Sequence, residues 1–206
     1  MKTLNNYIIE RLNPRHLGPQ YLYKPKNKKE LEKLLYKLYD DRGPNGDYND
    51  IDTSLITDMS GLFFMWEDFN GDITRWDTSN VEDMHDMFDN AQTFNQPIGR
   101  WDVSKVLNMD GMFACAYKFD KPLNDWDVSG VTSMNAMFQN AYKFDKPLNK
   151  WDVGRVTEMD DMFNNAKSFN QNISGWSTMK LTTYENIFKD CKIKEDYKPK
   201  FKEFEW

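Results

Sequence analysis

The chain has 206 residues, 39% of them apolar, with fourteen Phe and seven Trp, so it holds enough material for a packed core. No apolar run approaches the ~18 residues a membrane-spanning helix needs, and the start lacks the apolar stretch and small-residue cleavage site of a secretory signal. The net charge of −6 is unevenly spread: residues 1–46 carry +5, residues 47–191 carry −12 and residues 192–206 carry +1. The acidic stretch repels phosphate backbones, so no nucleic acid is expected on it.

In chain order, Leu4, Ile8 and Leu12 ahead of Pro14 predict a short amphipathic helix over 2–12. His16 to Lys26 reads as an extended connector. Asn27 followed by Glu30 has the spacing that opens a helix, and Gly43-Pro44 closes one, which predicts a helix over 28–42 with Leu31, Leu34, Leu35 and Leu38 on one face. Residues 1–46 are therefore expected to form a helical N-terminal cap.

From residue 47 to 191 a 25-residue period dominates. Trp76, Trp101, Trp126, Trp151 and Trp176 mark it, with Phe69, Phe94, Phe119, Phe144 and Phe169 seven residues ahead. Further columns are Val81, Val106, Val131 and Val156; Met84, Met109, Met134 and Met159; and Met87, Met112, Met137 and Met162, each of the last followed by Phe. Such a period marks a repeat array whose unit buries its apolar face only against a neighbour. Within a unit the columns fall at i, i+3, i+6, i+7 and i+10, the stripe of a short helix. The later part of each unit, rich in Pro, Asn and Gly, suits an extended arc. The expected fold is thus an α/β repeat solenoid, leucine-rich-repeat-like, of five to six turns. Residues 192–206, with Phe201, Phe204 and Trp206 among Lys and Glu, are expected to be a C-terminal cap or docking tail.

The unit Met-x-x-Met-Phe-x-x-Ala-x-x-Phe-[Asn/Asp]-x-Pro-[Ile/Leu]-x-x-Trp-Asp-Val-Ser-x-Val, at 109–131 and again at 134–156 with Gly154 for Ser, resembles the BspA-like leucine-rich repeats of mycoplasma lipoprotein-type surface proteins, a kind also found in phages. The resemblance implies a curved solenoid that binds proteins or host surfaces. Those surface proteins usually carry an export signal or lipid anchor. None is visible here, so a cytoplasmic or virion location is expected.

Two sets of residues stand out as candidates. Asp77, Asp102, Asp127 and Asp152, each following Trp76, Trp101, Trp126 or Trp151, form a structural ladder in which every carboxylate must accept local N–H groups to offset repulsion between like charges. The variable slots around Phe119 and Phe144 give two successive Tyr-Lys-Phe-Asp-Lys-Pro stretches, so Tyr117, Lys118, Lys121, Tyr142, Lys143 and Lys146 form the candidate contact strip. With two histidines in separate segments and two cysteines three repeats apart, neither a nucleophile with its base nor a metal set can be assembled. No catalysis, metal or cofactor is expected. The chain reads as a protein-interaction module, with a structural component of a larger assembly such as a phage virion, self-assembling through its tail or N-terminal cap, as the alternative. A weaker alternative is a surface that binds glycans.

Overall fold

The computed structural model describes residues 21–201. The helix expected over 2–12, and Phe204 and Trp206 of the tail, lie outside the described residues. Helix α1, Lys28–Arg42, forms with the expected bounds. Asn27 Oδ1 accepts the Glu30 N–H at 3.0 Å, and the Glu30 carboxylate accepts the Lys26 N–H in return. Gly43 ends the helix at φ 72°, a left-handed conformation that costs glycine little. Leu31, Leu35 and Leu38 are buried, and Leu34 and Tyr39 pack beside them against the first repeat.

The repeat region contradicts the expected α/β solenoid with its leucine-rich-repeat-like turns. Among the described residues, α1 is the one α-helix, a single 3-10 turn covers Glu195–Tyr197, and no extended strand forms. Successive 25-residue coils are instead joined by isolated parallel bridges, Asp58 to Asp83, Asn108, Ser133, Glu158 and Thr183 in turn. These bridges fall in the half of the repeat that the sequence assigns to helix, while the half expected to be extended has none after Asp47 to Asp72.

Hydrogen-bond direction explains why no helix forms. In an α-helix every N–H donates to the carbonyl four residues back. In the second coil the N–H groups of Met84, Asp86, Phe88 and Asn90 instead donate one coil onward, to Asn108, Asp110, Met112 and Ala114, at 2.8–3.0 Å. The intervening N–H groups of Met87, Asp89 and Ala91 donate three residues back within the coil, at 3.0–3.3 Å. Two left-handed residues per coil, four apart, enforce this alternation: Asp86 and Asn90, Gly111 and Cys115, Ala136 and Asn140, Asp161 and Asn165. A left-handed L-residue costs about 1–2 kcal/mol and cannot sit inside a right-handed helix. Consecutive three-residue turns still bring i, i+3, i+6, i+7 and i+10 inward, which is why the stripe imitates a helix.

The core is a set of side-chain columns running along the stack. Phe63, Phe88, Phe113, Phe138 and Phe163 have ring centroids 5.4–5.6 Å apart. A second column, Phe69 through Phe169, runs at 6.0–6.2 Å. All these rings are fully buried, and burying each contributes roughly 2–3 kcal/mol relative to exposing it. No helix among the described residues is long and apolar enough to cross a membrane.

Candidate functional site

On the tryptophan side each indole Nε1 donates to a carbonyl of the preceding coil: Trp76 to Tyr48, Trp101 to Ile73, Trp126 to Ile98 and Trp151 to Leu123, at 2.9–3.3 Å. The aspartate that follows closes a tight turn. Asp77 and Asp102 accept both the N–H and the hydroxyl of Ser79 and Ser104, and Asp127 and Asp152 accept the N–H of Ser129 and Gly154 at 2.9–3.0 Å. Hydrogen bonds from the serines hold the carboxyls of Asp102 and Asp127 below the usual carboxylate range. The four carboxylates thus spend their acceptors on their own turns, with no helix N-terminus ahead of them to receive them.

The contact strip is partly assembled. Tyr117 and Tyr142 stack face to face, centroids 4.8 Å apart and planes 5° apart, on the outside of adjacent coils. Lys118 and Lys143 beside them are exposed. Lys146 turns back instead, pairing with Asp120 of the previous coil at 2.5 Å, and Lys121 is half-buried. Two tyrosines and two lysines therefore present a small aromatic and cationic surface; Lys146 is committed to holding coils together.

A groove of about 790 Å³ lies along the slots that precede tryptophan, lined by Arg75, Arg100, Asp125, Pro97, Pro122 and Asn124 among others. Gly99 also lines it, and a Cβ there would lie 2.5 Å from the Pro122 carbonyl oxygen of the next coil. Arg75 reaches Asp47 at 4.0 Å.

Two side-chain ladders escape a reading of the sequence. In the Asn70, Asn95, Asp120, Asp145, Asn170 column the side-chain oxygen of each of the first four accepts the N–H of the next member one coil on, at 2.9–3.1 Å. Only the oxygen is used, so amide and carboxylate serve equally. Asp110, Asn135 and Asp160, in a slot that reads as exposed helix surface, make a second such ladder ending on the Glu185 N–H. His85 shares that slot, and its Nδ1 lies 2.8 Å from Asp83.

The first coil departs from the others. Phe64 and Met65 stand where later coils carry residues such as Asp89 and Asn90, and both are exposed, at 48% and 55%. Met65 nevertheless holds the left-handed conformation at φ 63°. Nothing in the described residues gathers three or more His, Cys, Asp or Glu into a metal-binding group. Cys115 and Cys191 are free thiols, and burial pushes the Cys191 thiol up. Burial and then the Asp86 carboxylate raise the Asp89 carboxyl to about 6.

A family model described as "Mycoplasma protein of unknown function, DUF285" matches residues 32–141 and 121–201, and the chain belongs to that repeat-containing family. No curated protein and no solved structure matches the chain.

Proposed function

We propose that this DUF285 family member is a non-catalytic protein-interaction module, which presents variable side chains on a rigid stack of near-identical coils. The observation that carries this reading is the Tyr117–Tyr142 stack. The other inter-coil ring columns are in the core, whereas this one stands outside, with Tyr142 more than a third exposed and Lys118 and Lys143 alongside. Aromatic rings fixed by stacking lose little conformational entropy on binding, and with neighbouring cations they suit an acidic protein surface. Kinship to the BspA-like repeats, suggested by the Met-Phe, Phe-Asn and Trp-Asp-Val-Ser motifs, belongs to the same proposal and favours binding over chemistry.

The test is affinity capture from the source cells with the full chain and with Tyr117→Ser/Tyr142→Ser. A partner held by the parent chain and lost from the double variant, with thermal unfolding of the two chains within about 3 °C, supports the strip. Equal capture by both chains contradicts it. A second reading, a structural component of a larger assembly, draws on the last 25-residue coil, whose edge no further coil covers among the described residues.

A further inference from the structure

Four backbone donors in the groove ahead of the tryptophans differ from their counterparts in neighbouring coils. One coil earlier, Thr74 N–H donates to Asp72 Oδ1 at 3.0 Å and Arg75 N–H to Asn49 Oδ1 at 2.7 Å. Along the groove Pro97 and Pro122 stand in the slot of that aspartate, while Thr74 and Gly99 stand in the slot of that asparagine. Neither proline nor glycine has a side-chain oxygen, and the Thr74 hydroxyl is spent on Asp72 at 2.7 Å. The N–H groups of Gly99, Arg100, Asn124 and Asp125 consequently have no hydrogen-bond partner among the described residues. The ladder resumes beyond them, where Asn124 Oδ1 accepts the Lys150 N–H at 3.0 Å.

Positive charge accompanies these donors. Arg100 is exposed and makes no ion pair among the described residues, and Arg75 is held only loosely by Asp47, at 4.0 Å with both side chains mostly exposed. The one carboxylate in the groove wall, Asp125, is paired with Lys150 at 2.7 Å. Successive backbone N–H groups beside a guanidinium suit an oxyanion, because hydrogen bonds to an ionised acceptor are about twice as strong as neutral ones. The four donors come as two pairs one coil apart, and the groove, at about 790 Å³, is far larger than one small ion. It fits an extended segment that offers oxygens at two levels of the stack, as side chains two residues apart on one face of a strand do, about 7 Å from each other. A long polyanion is disfavoured by the charge of −12 on residues 47–191.

We propose that this groove binds a short, extended acidic peptide segment, whose carboxylates accept the N–H groups of Gly99, Arg100, Asn124 and Asp125 in place of the missing ladder oxygens and pair with Arg75 and Arg100. This deepens the interaction reading by naming a partner chemistry, and it rests on residues separate from the tyrosine strip, so either can fail alone. Backbone amide shifts of the full chain, followed by NMR as the end-blocked peptide Asp-Gly-Asp-Gly-Asp is added, test it. The four amides should move together and saturably, and binding should be at least about tenfold weaker for the end-blocked peptide Asn-Gly-Asn-Gly-Asn and for Arg100→Ala. Thr74→Asn/Pro97→Asn restores side-chain oxygens of the kind supplied by Asn49 and Asn172. It should weaken binding by a similar factor, while slow hydrogen exchange at the Phe113 and Phe138 amides shows that the stack is folded. No saturable shift in the parent chain, or equal binding of the neutral peptide, would overturn the site. Equal binding by the double variant would overturn the part given to the backbone donors. Sulfate bound as tightly as the acidic peptide would overturn the peptide assignment in favour of a small oxyanion.

Discussion

The two halves of each coil are held by different chemistry. From the bridge residue to the alanine, as in Asp83–Ala91, coils are joined mainly by backbone N–H groups reaching backbone carbonyls, with the Asp110, Asn135 and Asp160 side-chain oxygens adding one ladder beside them. From the phenylalanine to the tryptophan, as in Phe94–Trp101, few backbone bonds cross between coils. There the Asn95 side-chain oxygen and the Trp101 indole carry the connection. Between coils the first half depends chiefly on unusual backbone conformation, whereas the second depends on particular side chains and tolerates ordinary backbone.

That difference ranks the expected effects of substitution. Gly111→Ala strikes the backbone half hardest, because it places an L-residue at φ 59° and sends a Cβ into the Asp86 carboxylate. It should cost about 2–3 kcal/mol in urea unfolding. Trp126→Phe keeps the ring in its column but leaves the Ile98 carbonyl without its indole donor, for a loss of about 1–2 kcal/mol. A larger loss for Trp126→Phe than for Gly111→Ala would reverse the ranking of the two halves.

Asp89 sharpens the comparison, because it sits in the backbone half, where its side chain is not needed for pairing. Its carboxyl titrates at about 6 when folded against 3.8 ordinarily, so the folded chain binds the proton more tightly. Stability contributed at this position is therefore greatest below about pH 4 and is lost as pH rises through about 6. Asp89→Asn should remove that fall and stabilise the chain at pH 7 by about 1 kcal/mol, after discounting a half-exposed group for solvent screening. The pH dependence of the difference between parent and variant checks it. Smallest, and opposite in sign to the first substitution, is Ala136→Gly. It relieves a left-handed alanine at φ 52° in the same column as Gly111, and should raise stability by up to about 1 kcal/mol once the added freedom of the unfolded glycine is offset.

The same division explains what the sequence disclosed. Helix α1 was legible because its cap, leucine stripe and Gly-Pro stop agree. The Phe, Met and Trp columns were legible because burial repeats every 25 residues, and the aspartate after tryptophan because a carboxylate so placed needs a nearby N–H. The conformation of the first half was not. Chained three-residue turns bury the same positions as a helix, so hydrophobic spacing cannot separate them. A signal was present in another property: Asn90, Asn140 and Asn165, with Gly61 and Gly111, recur in the middle of the apparent helix, and these residues favour left-handed backbone. Cys115 in the asparagine slot and Ala136 in the glycine slot blurred it. The ladders stayed hidden because their register lies between coils, 25 residues away, where the usual local rules for Asn and Asp do not look.

The most direct test of the stacked-coil arrangement is detection of scalar coupling across individual backbone hydrogen bonds by NMR on labelled protein. Coupling from the Phe113 amide to the Met137 carbonyl, one coil onward, is the expected result. Coupling from the Phe113 amide to the Met109 carbonyl, four residues back, would restore the helix and contradict it.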